Sequence, residues 1–249
     1  MAKSLKDVYV GVDRNKADRH ENDFYPTPPL ATFILAEKMG DRLPQIIIEP
    51  CAGRGHISAE LIRSGRRVTS YDLNAYDDCL VPVIPGVDAT TLGLHGHLFG
   101  IVTNPPYHKN LPHVLTKKFV TEYDFVAMFV RLTFLEGKRR KKLFTEHPPS
   151  DIIFLSDRVR FGTADERMSS PDYARMQDQI GGMIAYMWII WDKKAEHQNT
   201  KCEWVLLEDH FAKWRANYEV KKNLEVQPDL GGHRINNNIL DFMMDGEER

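Results

Sequence analysis

The chain has little of what marks several large protein classes. Only three of its 249 residues are cysteine, Cys51, Cys79 and Cys202. The count is odd and contains no Cys-x-x-Cys pair, which argues against a disulfide framework and a structural zinc site and leaves reduced thiols as the expectation. No stretch approaches the roughly 18 consecutive apolar residues that a membrane span needs. The segment Met1-Ala2-Lys3-Ser4-Leu5-Lys6 lacks the apolar core of a secretory signal, so a cytosolic location without membrane contact is expected. Neither sign of charge dominates. With a formal net charge of −2, a nucleic-acid partner would have to be met by a local basic face. Internal repeats and low-complexity tracts are also missing.

What is present suffices for a substantial core: 42% of the residues are apolar, and the length fits one large α/β domain. Positive charge is densest at Lys138-Arg139-Arg140-Lys141-Lys142, with further pairs at Arg158 and Arg160, Lys117 and Lys118, and Arg66 and Arg67 beside Arg63. The five-residue run reads either as the solvated first turn of a helix or as a surface for phosphate.

Residues 1–22 are polar and without apolar period, an arm rather than a packed element. After the proline-rich Phe24-Tyr25-Pro26-Thr27-Pro28-Pro29, the spacing of Leu30, Phe33, Ile34 and Met39 predicts a helix that Gly40 ends. Gln45 to Glu49 reads as a buried parallel strand, His56 to Arg63 as a helix, and Arg67 to Asp72 as the next strand. A short strand is expected near Val83 to Val87, another over Leu98 to Thr103, then a helix over Leu111 to Thr121 and a strand over Phe125 to Leu132. Lys138 to Thr145 reads as helix and Ile152 to Arg160 as strand. Alternation at this spacing predicts a doubly wound, mostly parallel sheet. Gly162 to Gly182 breaks the rhythm and reads as a mobile loop. Met183 to Trp191 then reads as a long buried strand, with Glu203 to Leu207 pairing beside it as an antiparallel hairpin. Three parts are expected: an arm over 1–22, a catalytic domain over 23–208, and a mostly polar C-terminal extension over 209–249. Trp188 and Trp191 read as core residues.

Two places carry chemistry. Glu49-Pro50-Cys51-Ala52-Gly53-Arg54-Gly55 stands where the first strand turns into a helix, and its glycines let backbone approach a ligand. A dinucleotide fingerprint would place a third glycine where Ser58 stands, and a P-loop would need a Lys-Ser or Lys-Thr pair. A carboxylate at Glu49 would repel pyrophosphate but suits the ammonium of a methionine moiety, which favours S-adenosylmethionine over NAD. Asp72, nineteen positions beyond Gly53, is placed to accept hydrogen bonds from ribose hydroxyls, or to cap a strand end. Asp88 either receives the cofactor's adenine amino group or serves a turn.

The second place is Asn104-Pro105-Pro106-Tyr107, at the end of the strand over Leu98 to Thr103. Prolines donate no hydrogen bond and hold φ, which leaves the Pro105 carbonyl free beside the side-chain oxygen of Asn104. Two acceptors converging on one NH2 hold a planar amine and localise its lone pair, and Tyr107 would stack on the ring that bears it. His108 is expected to face solvent.

Taken in order, the segment Phe24 to Pro29, the Glu49 to His56 motif, Asp72 and the Asn104 to Tyr107 tetrapeptide resemble the amino-group methyltransferases of the gamma arrangement, which act on adenine N6 in DNA and are often phage- or prophage-borne. The similarity covers about residues 23 to 195 and includes Val130 to Gly137. It implies a Rossmann-like class I methyltransferase fold with S-adenosyl-L-methionine as cofactor. By resemblance, Tyr25, Thr27 and Pro28 close over the methionine end, Glu49, Cys51, Ala52 and Gly53 line that pocket, Asp72 holds the ribose and Asp88 the adenine. Asn104, also beside the cofactor, grips the target amine with Pro105 and Pro106, and Tyr107 holds its ring. No metal is implied. Family members that read duplex sites carry a large recognition domain after the sheet, which the roughly forty residues after Leu207 do not supply. The same tetrapeptide also serves RNA bases and glutamine amides of protein substrates, and a cofactor-binding module without turnover is a further alternative.

Overall fold

Ile46-Ile47-Ile48 lies in the middle of an eight-stranded sheet because a β-branched, wholly apolar run needs neighbours on both edges and cover on both faces. The structure is a computed structural model and describes residues 25–93, 99–160, 180–196 and 199–225. The strands are β1 (Ile46–Glu49), β2 (Arg67–Tyr71), β3 (Val83–Ile84), β4 (Phe99–Thr103), β5 (Phe125–Arg131), β6 (Asp151–Leu155), β7 (Tyr186–Asp192) and β8 (Lys201–Val205). Their order is β3-β2-β1-β4-β5-β7-β6-β8. The first five are parallel to one another. Strand β7 runs antiparallel to both β5 and β6, and β8 is parallel to β6.

Helices α1 (Pro29–Met39), α2 (His56–Arg63), α3 (Leu111–Glu122), α4 (Lys138–Glu146) and α5 (Leu207–Glu225) cover the sheet. Successive strand residues point to opposite faces, and the two cores divide accordingly. Ile47, Val102 and Ala127 pack with Ile34 of α1, Leu61 of α2 and Trp214 of α5. Ile48, Ile101 and Val126 pack with Phe119 of α3 and Leu143 of α4. The result is the expected doubly wound, mostly parallel α/β sheet, with helices on both faces.

Three expectations are corrected. The strand expected over Met183 to Trp191 starts only at Tyr186, with Met183 and Ile184 exposed, and it forms no hairpin with the following strand, because β6 lies between β7 and β8. A strand this buried takes partners on both edges, whereas Lys201 and Cys202 are exposed and suit the sheet's rim. The strand expected over Ile152 to Arg160 ends at Leu155. After a turn, Val159 makes a single bridge with Ile180. Beside that bridge a Cβ on Gly182 would lie 1.9 Å from the Val159 carbonyl oxygen, so only glycine fits there. The stretch after His210, read as mostly polar, continues α5, and Trp214 is fully buried. The expected arm, most of the expected loop and the end of the expected extension lie outside the described residues. Trp188 and Trp191 are core residues, their indole N–H groups donating to the carbonyls of Ala31 (2.9 Å) and His147 (2.8 Å).

Candidate active site

Strands β1 and β4 are neighbours whose onward connections diverge: β1 leads through α2 to β2 on one side, and β4 leads through α3 to β5 on the other. Divergence opens a crevice beyond the carboxyl ends of both strands, where ligands bind open α/β sheets. Here the crevice is a cleft of about 830 Å³, partly open to solvent.

One wall is the β1–α2 turn, from which Glu49, Cys51, Ala52 and Gly53 line the cleft. Gly55 has φ +81°, and a Cβ there would meet Val81 Cγ2 at 2.5 Å, so this turn depends on glycine. Glu49 is almost wholly buried. Its Oε2 accepts the Ser58 backbone N–H at 2.8 Å and the Ser58 hydroxyl, and that hydroxyl also lies 2.6 Å from Ser70 Oγ. Burial pushes the carboxyl up to about 8, the bonds from Ser58 oppose this, and the charge of Asp72 adds to it. Ser58, which stands where a dinucleotide motif has glycine, therefore holds the acidic side chain in place. Burial also raises the Cys51 thiol well above its usual range, so it remains protonated.

The second wall comes from the ends of β2 and β3. Asp72 Oδ2 accepts the Gly53 N–H (2.7 Å) and Oδ1 the Asn74 N–H (2.8 Å), which ties this carboxylate to the first wall. Asp88 is exposed on the rim, with Oδ1 taken by the N–H and hydroxyl of Thr90, each at 2.8 Å. It is thus a turn aspartate that also lines the cleft.

The third wall is Asn104 to Tyr107, directly after β4, with Tyr25, Pro26 and Thr27 against it. Asn104 Nδ2 donates to the Tyr25 carbonyl (3.1 Å) and to Thr27 Oγ1 (3.0 Å). A carbonyl can only accept, which settles the amide's orientation. Oδ1 then receives the Tyr107 hydroxyl at 3.0 Å. The side-chain oxygen expected to be free already carries one hydrogen bond, and its remaining lone pair is what a ligand amine would meet. The Tyr107 ring stands edge-on to Tyr25 and Tyr186, with Arg131 over one face.

All the sequence-picked residues except Pro28 line this one cleft. Pro28 is the cap residue of α1 instead. His108 is half-buried and lines the cleft, contrary to its expected exposure. Sequence reasoning missed Tyr76, which also lines it and belongs to no spaced pattern; His56, the last residue of the Glu49 to His56 motif, lines it as well, though no role was assigned to it. No group of three or more potential metal ligands is found among the described residues, and no helix among them is long and apolar enough to cross a membrane.

A mostly parallel α/β sheet with its cleft at the switch point defines a Rossmann-like fold. Among solved structures, the methyltransferase subunit of a type I restriction-modification system from Streptococcus thermophilus matches with a TM-score of 0.53 and 14% identity over 82% of this chain. The chain spans about half of that subunit, 54% of its length. The 1,6-didemethyltoxoflavin-N1-methyltransferase of Burkholderia thailandensis, solved with S-adenosylhomocysteine, matches at a TM-score of 0.38 and 13% identity, covering 75% of this chain and 83% of its own. The fold is that of Rossmann-like methyltransferases. No family model matches the chain, and no curated protein matches its sequence.

Proposed function

We propose that the chain is an S-adenosyl-L-methionine-dependent methyltransferase that acts on the exocyclic N6 amino group of adenine in DNA. The observation that carries this reading is the convergence of Asn104-Pro105-Pro106-Tyr107 with Glu49 and Asp72 on a single cleft. The fold shared with a restriction-modification methyltransferase subunit supports a nucleic-acid acceptor.

The residues present fit the cofactor. Glu49 uses only Oε2 within the protein among the described residues, so Oε1 remains for an ammonium. Asp72 spends one lone pair or so on each oxygen and keeps capacity for ribose hydroxyls. When bound, S-adenosylmethionine supplies an electrophilic methyl group on a sulfonium. The chain's own residues supply alignment. Asn104 Oδ1 and the Pro105 carbonyl accept the hydrogens of the amine and turn its lone pair toward the methyl, while Tyr107 limits how the base can lie. Alignment alone can remove roughly 7 to 11 kcal/mol of barrier. The product amine is cationic and acidic and releases its proton to water, so no strong base is needed.

An adenine stacked in a duplex cannot enter this cleft, so the base is extruded or taken from a single strand. Tritiated methyl transfer to DNA, RNA and protein fractions, followed by nucleoside digestion, tests the reading. N6-methyladenine in DNA is the expected product. Label only in RNA or protein would replace the acceptor. Absence of transfer to any fraction, with the Asn104→Ala variant equally inert and cofactor still bound, would leave a binding module and overturn the enzyme assignment.

A further inference from the structure

The carboxyl end of β5 places an arginine beside the acceptor wall. β4 and β5 are paired, with Thr103 opposite Met128, and Arg131 follows three residues later, against Tyr107 of the cleft's third wall. Its guanidinium carbon lies 4.5 Å from the centre of the Tyr107 ring. Its Nε donates to the Tyr186 hydroxyl at 3.3 Å, and Tyr186 is its opposite residue in the β5–β7 ladder. Tyr186 is itself buried and stacked on Phe129, with centroids 5.3 Å apart. Two aromatic side chains thus fix the position of a cation.

That cation is half-buried, and among the described residues no carboxylate pairs with it. A guanidinium has five N–H donors. Tyr186 uses one, and no acceptor among the described residues takes the terminal four. Partial burial of a charge without a counter-ion is costly, and a binding site for an anion explains why the position tolerates it. Planar forked donors suit phosphate. The charge continues along the connection from β5. Arg140 lies over Phe134 and reaches Asn110 Oδ1 at 3.4 Å, three residues beyond Tyr107. Lys138, Arg139, Lys141 and Lys142 are exposed on the same helix. A chain whose net charge is −2 therefore presents a positive rim on the acceptor side of its cleft.

We infer that Arg131 grips a backbone phosphate of the acceptor strand next to the target nucleotide, held in register with Tyr107 by the ring contact. This rests on the nucleic-acid reading above and deepens it. A phosphate fixed at Arg131 sets how far the strand stands from Asn104, and so which base reaches the cleft.

The test is oligonucleotide binding and steady-state methylation by the wild type, Arg131→Gln and Arg131→Lys across a salt series. Each phosphate contact contributes roughly 0.7 to 0.9 to the slope of log K against log salt. Arg131→Gln should reduce that slope by about this amount, raise the oligonucleotide KM about tenfold, and leave cofactor affinity unaltered. Arg131→Lys should restore the slope but only part of the KM, since an ammonium binds as a point charge. If the wild type methylates DNA while Arg131→Gln keeps the full slope and KM, or loses only kcat, Arg131 merely supports Tyr107 and the inference fails alone. A wild type that neither binds nor methylates nucleic acid overturns the functional reading and this inference together.

Discussion

The hydroxyl of Tyr107 lies 3.0 Å from Oδ1 of Asn104, so the aromatic ring and the amide of the acceptor wall are linked. The same hydroxyl is 3.2 Å from the Phe129 carbonyl in the core. With one proton it can donate to only one of them at a time. The Asn104 amide is held from its other end by Tyr25 and Thr27, which precede α1. The acceptor oxygen is therefore positioned from the segment before α1 and by Tyr107 of its own segment.

Tyr107→Phe keeps the ring and removes this link. Loss of a hydrogen bond of this kind costs about 1 kcal/mol of stability, and the freed amide should lower kcat about tenfold through misalignment. Cofactor affinity should stay as it was. Isothermal titration together with single-turnover kinetics checks the split, and an unchanged kcat would mean that the hydroxyl does not orient Asn104.

The Glu49 carboxyl yields a pH prediction. Its folded value of about 8 lies above the ordinary 4.5, so the folded state holds this proton more tightly than the unfolded chain. The group's contribution to stability is complete below about pH 4.5 and is lost as pH rises through about 8. Melting of the protein without cofactor should show this fall in the wild type and its loss in Glu49→Gln, measured as the difference between the two. On the proposed function the cofactor's ammonium would pair with the charged carboxylate, so binding near pH 7 should release a proton, seen as heats that vary with buffer ionisation enthalpy. Equal heats in all buffers would contradict it.

At the opposite end of the sheet, Arg42 Nη2 pairs with Asp151 Oδ2 at 2.6 Å and its Nε with Asp192 Oδ2 at 2.8 Å. This clamp joins the start of β6 to the end of β7. The two aspartate side chains are only 4% and 5% exposed, whereas Arg42 is 35% exposed. Arg42→Met would remove a shared cation from two buried carboxylates. The expected loss is about 2 to 3 kcal/mol, less than the roughly 3 to 5 of a fully buried pair because Arg42 is partly solvated. Urea denaturation measures it. Methyl transfer by the folded fraction should be unaltered, since the cleft lies at the other end of the strands.

Much of this arrangement is legible in the residue order. The apolar runs at Ile46, Phe125 and Met187 announce strands because few other settings bury such runs, and the helix over His56–Arg63 has the predicted bounds. The Asn-Pro-Pro-Tyr and Glu49 to Gly55 segments point to a cleft because prolines and glycines there leave backbone groups free or exposed. Strand pairing near the carboxyl end was not legible. Glu203 to Leu207 has the alternation of a strand, but its edge place beside β6 depends on which strand needs two neighbours. The apolar face of α5 was overlooked too, although Leu207, Phe211, Trp214 and Tyr218 recur at helical spacing in an otherwise polar stretch and pack into one cluster.

Local sequence therefore determined the elements, the order of the motifs and the chemical character of each side chain, because propensity, periodicity and donor capacity belong to short segments. Tertiary structure alone decided which oxygen of the acceptor wall already has a donor, that Ser58 steadies Glu49, and that Arg131 stands over Tyr107. These depend on side chains from distant segments meeting within hydrogen-bond or van der Waals reach, and short-range spacing carries no such distance.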